Sequence, residues 1–139
     1  CSVHQMFQPE HVEYFRYAYP GIHVIVHPEC HENVVNQADL VGSTEFIIRT
    51  VKQAEPNTQW VVGTELNLVN RLKREEKDKQ VFFLSPMVCR CATMYRIDAA
   101  HLCWTMENLA QGTVVNQISV PDDDKVLAHI ALDRMMALS

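Results

Sequence analysis

Residues 40–65 read Leu40-Val-Gly-Ser-Thr-Glu-Phe-Ile-Ile-Arg-Thr-Val-Lys-Gln-Ala-Glu-Pro-Asn-Thr-Gln-Trp-Val-Val-Gly-Thr-Glu65 and contain one complete strand, helix and strand. Val41-Gly-Ser-Thr-Glu at the start is repeated as Val62-Gly-Thr-Glu at the end. Between these turns, the apolar residues recur at helical spacing: Ile47, Ile48, Val51 and Ala54. A repeated unit of strand, turn and helix predicts an α/β domain with a mostly parallel sheet.

The same alternation extends in both directions from this stretch. Strands are predicted at 22–26, 40–41, 60–62 and 81–84, with a weak one at 114–120. Helices are predicted to begin at Pro9, near Pro28, at Ser43 or Thr44, at Thr64, at Asp98 and at Pro121. The last two helices are expected to bury apolar stripes, namely Leu102, Cys103, Met106 and Leu109 in one, and Leu127, Ile130, Ala131, Met135 and Leu138 in the other.

Composition narrows the class of protein. The chain has 139 residues, 47% of them hydrophobic, which is the length and composition of one globular domain. Its formal net charge of −5 argues against nucleic acid or an anionic membrane as a default partner. No stretch approaches a membrane-spanning helix or a signal peptide. The five cysteines are too few for a disulfide scaffold. We therefore expect a soluble, cytoplasmic protein with thiol or metal chemistry.

Chemistry is expected where the parallel strands end, because open α/β sheets bind ligands beyond the carboxyl ends of their strands. The residues found there are small and polar, namely His27, Pro28, Glu29, Ser43, Thr44, Thr64, Glu65 and Ser85. Helix N-termini at this edge can bind carboxylate or phosphate groups. Two interpretations remain open, because the hydroxyl residues are also good N-caps and the carboxylates also complement helix dipoles.

The cysteines favour one kind of metal site. Cys89 and Cys91 lack the spacing usual for paired zinc thiolates, and no second Cys-x-x-Cys exists. Thiolates contributed singly from distant loops are more typical of an iron–sulfur cluster. Cys103, on an apolar helix face, is expected to lie in the core.

Several separated motifs resemble the C-terminal part of the quinolinate synthase family. They are Cys1-Ser-Val-His4, Pro20-Gly-Ile-His-Val-Ile-Val-His27-Pro-Glu29-Cys, Ala38-Asp-Leu-Val-Gly-Ser-Thr44, Val62-Gly-Thr-Glu65, Cys91-Ala-Thr-Met94 and Asp133-Arg-Met-Met136. The segment from Cys89 to Ile97 is similar to cyanobacterial-type members.

The resemblance implies a fold, an activity and a cofactor. The fold would be a partial copy of three similar α/β/α domains, each three-layered with a small parallel sheet. The activity would be condensation of iminosuccinate with dihydroxyacetone phosphate to give quinolinate in NAD biosynthesis, with L-aspartate oxidase as pathway neighbour. The cofactor would be a 4Fe-4S cluster held by three cysteines, whose open iron acts as a Lewis acid.

The resemblance also assigns residues. Cys1 and Cys91 match two cluster ligands, and the third belongs to sequence outside this chain. Cys30 and Cys89 do not match ligand positions. The matches to active-site and substrate-binding positions are His4, His27, Pro28, Glu29 and Thr44, to which the helix start adds Ser43. Glu29 is expected to act as a general acid/base or to orient substrate, with His27 and His4 beside it.

The chain is expected to be a fragment, inactive alone. Residues 1–20 would end a preceding domain, 21–112 would form the α/β domain with the substrate and cluster residues, and 113–139 would add a strand and a helix. Two alternatives remain: a stand-alone α/β module that binds a small anion, and a mononuclear metal protein.

Overall fold

A computed structural model describes residues 2–87, 91 and 93–138 of the chain. These residues form two compact units, Cys1–Arg96 and Ile97–Ser139, which are described separately below. Among the described residues, no helix combines the length and the hydropathy needed to cross a bilayer.

The first unit is built on a four-stranded sheet in which every neighbouring pair is parallel. The strands are β1 (His23–Val26), β2 (Leu40–Val41), β3 (Gln59–Gly63) and β4 (Gln80–Phe83), arranged in the order β2-β1-β3-β4. β1 and β3 form the centre, with Val26 opposite Gly63 in register. The predicted α/β class is confirmed, and each predicted strand of this unit is present within a residue or two of its expected position.

Helices precede and connect the strands. Two helices, α1 (Ser2–Gln5) and α2 (Pro9–Ala18), precede β1, and the connections between successive strands contain α3 (Glu32–Val35), α4 (Thr44–Gln53) and α5 (Leu66–Glu75). α2 begins at Pro9 as expected, because proline suits the first helical turn, where the missing N–H has no partner to lose. α3 is much shorter than the predicted helix over 28–38, since residues 28–31 form a turn that His31 closes as N-cap.

Two apolar layers cover the two faces of the sheet. Alternate residues of β1 point to opposite sides, so Val24 and Val26 pack with α2 and α3 while Ile25 packs with α4 and α5. Both clusters are buried, and their largest fully buried side chains include Phe7, Leu84, Ile47 and Leu72. Helices on both faces of a parallel sheet make this unit a three-layer α/β/α structure.

Capping residues differ from prediction at one helix. Ser43 caps α4 by accepting a hydrogen bond from the Phe46 N–H at 3.3 Å, as expected. Thr64 does not cap α5. Glu65 does so instead, because its carboxylate reaches the backbone N–H groups of Asn67 at 2.8 Å and Leu68 at 3.3 Å.

The short edge strand β2 is held by a carboxylate. Asp39, just before it, accepts hydrogen bonds from the Val24 N–H at 2.7 Å and from the Arg16 guanidinium at 2.8 Å. Partial burial alone would raise the pKa of Asp39, but these two hydrogen bonds, together with the charges of Arg16 and His23, outweigh it and lower the pKa. Asp39 thus links α2, β1 and the start of β2.

The second unit contains α6 (Ala99–Ala110) and α7 (Asp122–Ala137). Asp98 caps α6 as predicted, accepting from the His101 N–H at 2.7 Å. Gly112 follows the helix with a positive φ of 76°, which favours glycine. Asp122, Asp123 and Asp124 lie in the first turn of α7, where carboxylates complement the helix dipole.

Three expectations for this unit are wrong. Residues 114–120 form no strand. The predicted buried stripes of both helices are exposed, including Leu102, Met106, Leu109, Leu127, Ile130, Ala131, Met135 and Leu138. Cys103 is exposed as well and does not lie in a core. The physical reason is that a helix buries an apolar stripe only against another packed layer, and without the strand this unit has no sheet to supply one.

Candidate functional site

The polar residues that follow β1 and β3 lie close together, at the place where the order of the strands in the sheet reverses. The chain runs from β1 outward to β2, then crosses back to place β3 on the other side of β1. Such a reversal opens a crevice between the carboxyl ends of the two central strands. His27 directly follows β1, and Thr64 directly follows β3. The candidate site therefore lies at the topological switch point of the sheet.

A histidine from the start of the chain links the two strand ends. His4, on α1, lies 3.1 Å from the Glu29 carboxylate through Nδ1 and 3.2 Å from the Thr64 hydroxyl through Nε2. The His4 and Thr64 side chains are buried, whereas the Glu29 side chain is 53% exposed. The arrangement joins a buried imidazole to a carboxylate that ligands can reach.

His27 stacks on His4 and has a defined hydrogen-bonding role. The ring centroids lie 4.4 Å apart and the ring planes differ by 17°. The Glu29 backbone N–H donates to Nδ1 of His27 at 3.2 Å, so this nitrogen is an acceptor and the neutral ring carries its proton on Nε2. His27 can therefore offer an N–H donor to an anionic ligand.

The environment of His4 favours its neutral form. Burial lowers the pKa of His4, the neighbouring His27 lowers it further, and the hydrogen bond to Glu29 only partly opposes them. Two stacked imidazolium ions would also repel each other. The candidate ligand atoms of His4, His27 and Glu29 lie within 4.8 Å of one another, a spacing that suits a bound cation. Both ring nitrogens of His4 are already hydrogen-bonded, which favours a role in orienting Glu29 instead.

Gly63 allows the two central strands to end close together. A Cβ at this position would lie 2.9 Å from Cδ2 of Leu84 and 2.9 Å from Cγ1 of Val26. The Gly63 carbonyl accepts the His27 N–H at 3.0 Å and the Cys30 thiol at 3.4 Å. The glycine thus sets the distance between the turns that carry His27 and Thr64.

Two of the described cysteines, Cys30 and Cys91, differ in how their surroundings shift the pKa of the thiol. Burial raises the pKa of Cys30 to about 11, so its thiol stays protonated and donates to Gly63. The Thr93 hydroxyl, 3.4 Å from Sγ, and the backbone N–H groups of Met94 and Thr93 lower the pKa of Cys91. A thiolate is the form that binds metal, so the surroundings of Cys91 fit an iron–sulfur ligand and those of Cys30 do not. Cys1 and Cys89 lie outside the described residues.

The structure brings together only part of the predicted site. His4, His27 and Glu29 form one connected group. Ser43 uses its hydroxyl as the α4 cap, and Pro28 is exposed in the turn before Glu29. Thr44 is exposed in the first turn of α4, after the edge strand β2, and among the described residues no hydrogen bond engages its hydroxyl.

The sequence places Thr64 at this edge and leaves open whether its hydroxyl caps α5 or serves the site, and in the structure it contacts a side chain 60 residues away. The signal is position, since Thr64 is the first residue after a central strand. Sequence reasoning missed Gln5. Its side-chain amide donates to the Glu29 carbonyl and ties the turn to α1.

Comparison with known proteins agrees with the motifs. Residues 1–137 match the family model described as quinolinate synthetase A protein. The chain belongs to this family. Relatives named quinolinate synthase are 56% identical in Rhodopirellula baltica, 54% in Geobacillus kaustophilus and 51% in Herpetosiphon aurantiacus, each over 99% or 100% of this chain. The resemblance stated from the sequence is confirmed.

The matches cover only part of each relative. The chain spans 35%, 38% and 37% of the length of these three proteins. The match runs across both units of the chain, which favours neither a stand-alone anion-binding module nor a mononuclear metal protein.

Proposed function

We propose that the complete protein carrying this chain is a quinolinate synthase. It would condense iminosuccinate with dihydroxyacetone phosphate and release phosphate and water, with L-aspartate oxidase supplying the imine in the cytoplasm. Family membership supports the proposal. The observation that carries it is the exposed Glu29 carboxylate, hydrogen-bonded to buried His4 at the switch point of the sheet.

Glu29 is proposed to transfer protons. An imine condensation followed by dehydration must move protons on and off carbon, nitrogen and oxygen, and a positioned carboxylate typically contributes about 10²- to 10⁴-fold to such a step. The hydrogen bond from His4 holds the carboxylate in place, and the exposed side of Glu29 can meet substrate. His4 then acts through Glu29, whose carboxylate its Nδ1–H orients, rather than on substrate directly.

His27 and Thr44 are proposed to bind the anionic groups of the substrates. His27 offers Nε2–H, because its Nδ1 is engaged by the Glu29 backbone. Thr44 offers its hydroxyl and its place in the first turn of α4, where the helix dipole attracts carboxylate or phosphate. Pro28 shapes the turn between His27 and Glu29, and Ser43 fixes the start of the helix.

A 4Fe-4S cluster is the proposed cofactor. Cys91 and Cys1 would hold it together with a cysteine outside this chain, and the thiolate-favouring surroundings of Cys91 support this assignment. When bound, the cluster would supply a Lewis acid for a substrate oxygen or nitrogen.

The test is Glu29→Gln in the full-length, cluster-loaded protein, with Glu13→Gln on the exposed side of α2 as the matched control. We expect kcat for quinolinate formation to fall by about 10²- to 10⁴-fold in the Glu29 variant, with unchanged iron content, and to stay at the wild-type value in the control. Wild-type protein that forms no quinolinate would contradict the proposed function. Near-normal turnover of Glu29→Gln would contradict the role of Glu29 alone.

A further inference from the structure

We propose that Thr64 is a positioning residue of this site, whose hydroxyl fixes the ring orientation of His4 and, through His4, the Glu29 carboxylate. The inference rests on the proposed function for its kinetic consequence. Its structural content stands on the contacts of three side chains brought together from separate elements.

The hydrogen-bond inventory sets the direction of each contact. An ionised carboxylate can only accept, so Glu29 accepts from Nδ1–H of His4. Neutral His4 then has a lone pair on Nε2, and the Thr64 hydroxyl donates to it across 3.2 Å. Loss of the hydroxyl would leave Nε2 without this donor and the ring without its second support. A ring that turns away from Glu29 no longer donates to the carboxylate, and it is then free to carry its proton on Nε2.

A hydroxyl suits this position better than a charged donor. It can donate to neutral imidazole and, after rotation, accept from imidazolium, so His4 keeps this partner in either protonation state. Thr64 is only 2% exposed, so water does not readily replace its hydroxyl. The side chain can therefore hold the ring still through both states.

Two observations show that the hydroxyl has no competing task. The cap of α5 is supplied by Glu65, which satisfies the N–H groups of Asn67 and Leu68. Among the described residues, no buried side-chain nitrogen or oxygen lacks a partner, so the bond to His4 completes the buried polar group. Thr64 is also attached to the end of a central strand, which makes it a rigid support.

The experiment compares Thr64→Val, which removes the hydroxyl at nearly constant volume, with Thr64→Ser, which keeps it. Thr58→Val is the matched control, since Thr58 precedes the other end of β3 and its hydroxyl donates to the Glu55 carbonyl at 2.7 Å. All variants are made in the full-length, cluster-loaded protein. The measurements are kcat, KM, iron content and the ¹⁵N chemical shifts of the imidazoles in histidine-labelled protein, with His4→Gln used to assign the signals.

We expect Thr64→Val to lower kcat by about 10- to 100-fold, the range for residues that orient a reacting group, with KM changed much less. Thr64→Ser should recover most of the loss. The His4 signals should report the Nδ1–H tautomer in wild type and Thr64→Ser, and a shift toward the Nε2–H tautomer in Thr64→Val. Adding Thr64→Val to Glu29→Gln should lower kcat little further, because Thr64 acts only by positioning the Glu29 carboxylate, which is already lost in Glu29→Gln.

Wild-type turnover in Thr64→Val, equal losses in Thr64→Ser and Thr64→Val, or the same His4 tautomer in all three proteins would overturn the inference. If wild type forms no quinolinate, the proposed function fails, and the ¹⁵N shifts alone then decide whether Thr64 fixes His4.

Discussion

Gly63→Ala should strain the junction of the two central strands. A Cβ at position 63 would lie 2.9 Å from Cδ2 of Leu84, 2.9 Å from Cγ1 of Val26 and 3.3 Å from Cβ of Val26. Carbon atoms in contact prefer about 3.5–4.0 Å. The Leu84 side chain can rotate away, but Val26 is β-branched and stiff, so relief requires movement of β1 itself.

The expected cost follows from two opposing effects. Overpacking a close-packed interior costs about 1–3 kcal/mol. Replacing glycine by alanine reduces the entropy of the unfolded chain and returns about 0.4–1 kcal/mol where the native φ is acceptable, as at Gly63. The net loss in free energy of unfolding should be about 0–2.6 kcal/mol. Turnover should fall as well, because the Gly63 carbonyl positions His27.

A double-mutant cycle identifies the cause. Urea unfolding would measure the loss in free energy of unfolding for Gly63→Ala, for Val26→Ala and for the double variant. The loss in the double variant should be at least about 0.5 kcal/mol smaller than the sum of the two single losses, because the new methyl occupies space that Val26→Ala vacates. Gly21→Ala is the control. Its φ is 87° and a Cβ there would contact nothing within 4 Å, so its cost is backbone strain, which Val26→Ala should not relieve. If the two losses in free energy of unfolding were additive, the close approach of Gly63 to Val26 would make no contribution to the stability.

Two further changes test the proposed cofactor and substrate contacts. In the full-length protein, Cys91→Ser should abolish iron and sulfide incorporation after anaerobic reconstitution, whereas Cys30→Ser should retain it. The reason is that, of these two cysteines, Cys91 has the surroundings that favour a thiolate. Loss of iron in Cys30→Ser alone would reverse the assignment. Thr44→Val should lower kcat/KM by the equivalent of about 1.5–3 kcal/mol, the range of free energy for a hydrogen bond to a charged group. Unchanged kinetics with a lower Tm would make Thr44 a purely structural residue.

Local patterns in the sequence were sufficient for most of the first unit. The β-branched runs, the spacing of apolar residues and the prolines at helix starts predicted all four strands and the positions of α2, α4 and α5. These features depend on interactions between near neighbours in the chain, such as backbone hydrogen bonds and the burial of one helix face. The same patterns placed His27 and Glu29 at the end of a buried strand, where they are found.

Local patterns were not sufficient where a partner is distant. The sequence predicts buried stripes on α6 and α7, yet these residues are exposed, because burial needs a second layer that this stretch does not supply. Likewise, the sequence predicts that Thr64 begins α5 and does not predict Glu65 as its cap. Glu65 takes the cap because its longer side chain folds back onto the helix, while Thr64 faces His4.

In the first unit, the periodicity of the chain thus settles most of the strands and helices, since those energies are summed over adjacent residues. The group formed by His4, Glu29 and Thr64 depends instead on strand order, which brings positions 4, 29 and 64 within hydrogen-bonding distance. Such contacts leave no periodic trace in a sequence. They exist because β1 and β3 are neighbours and because Gly63, with no side chain, lets the ends of these strands lie close together.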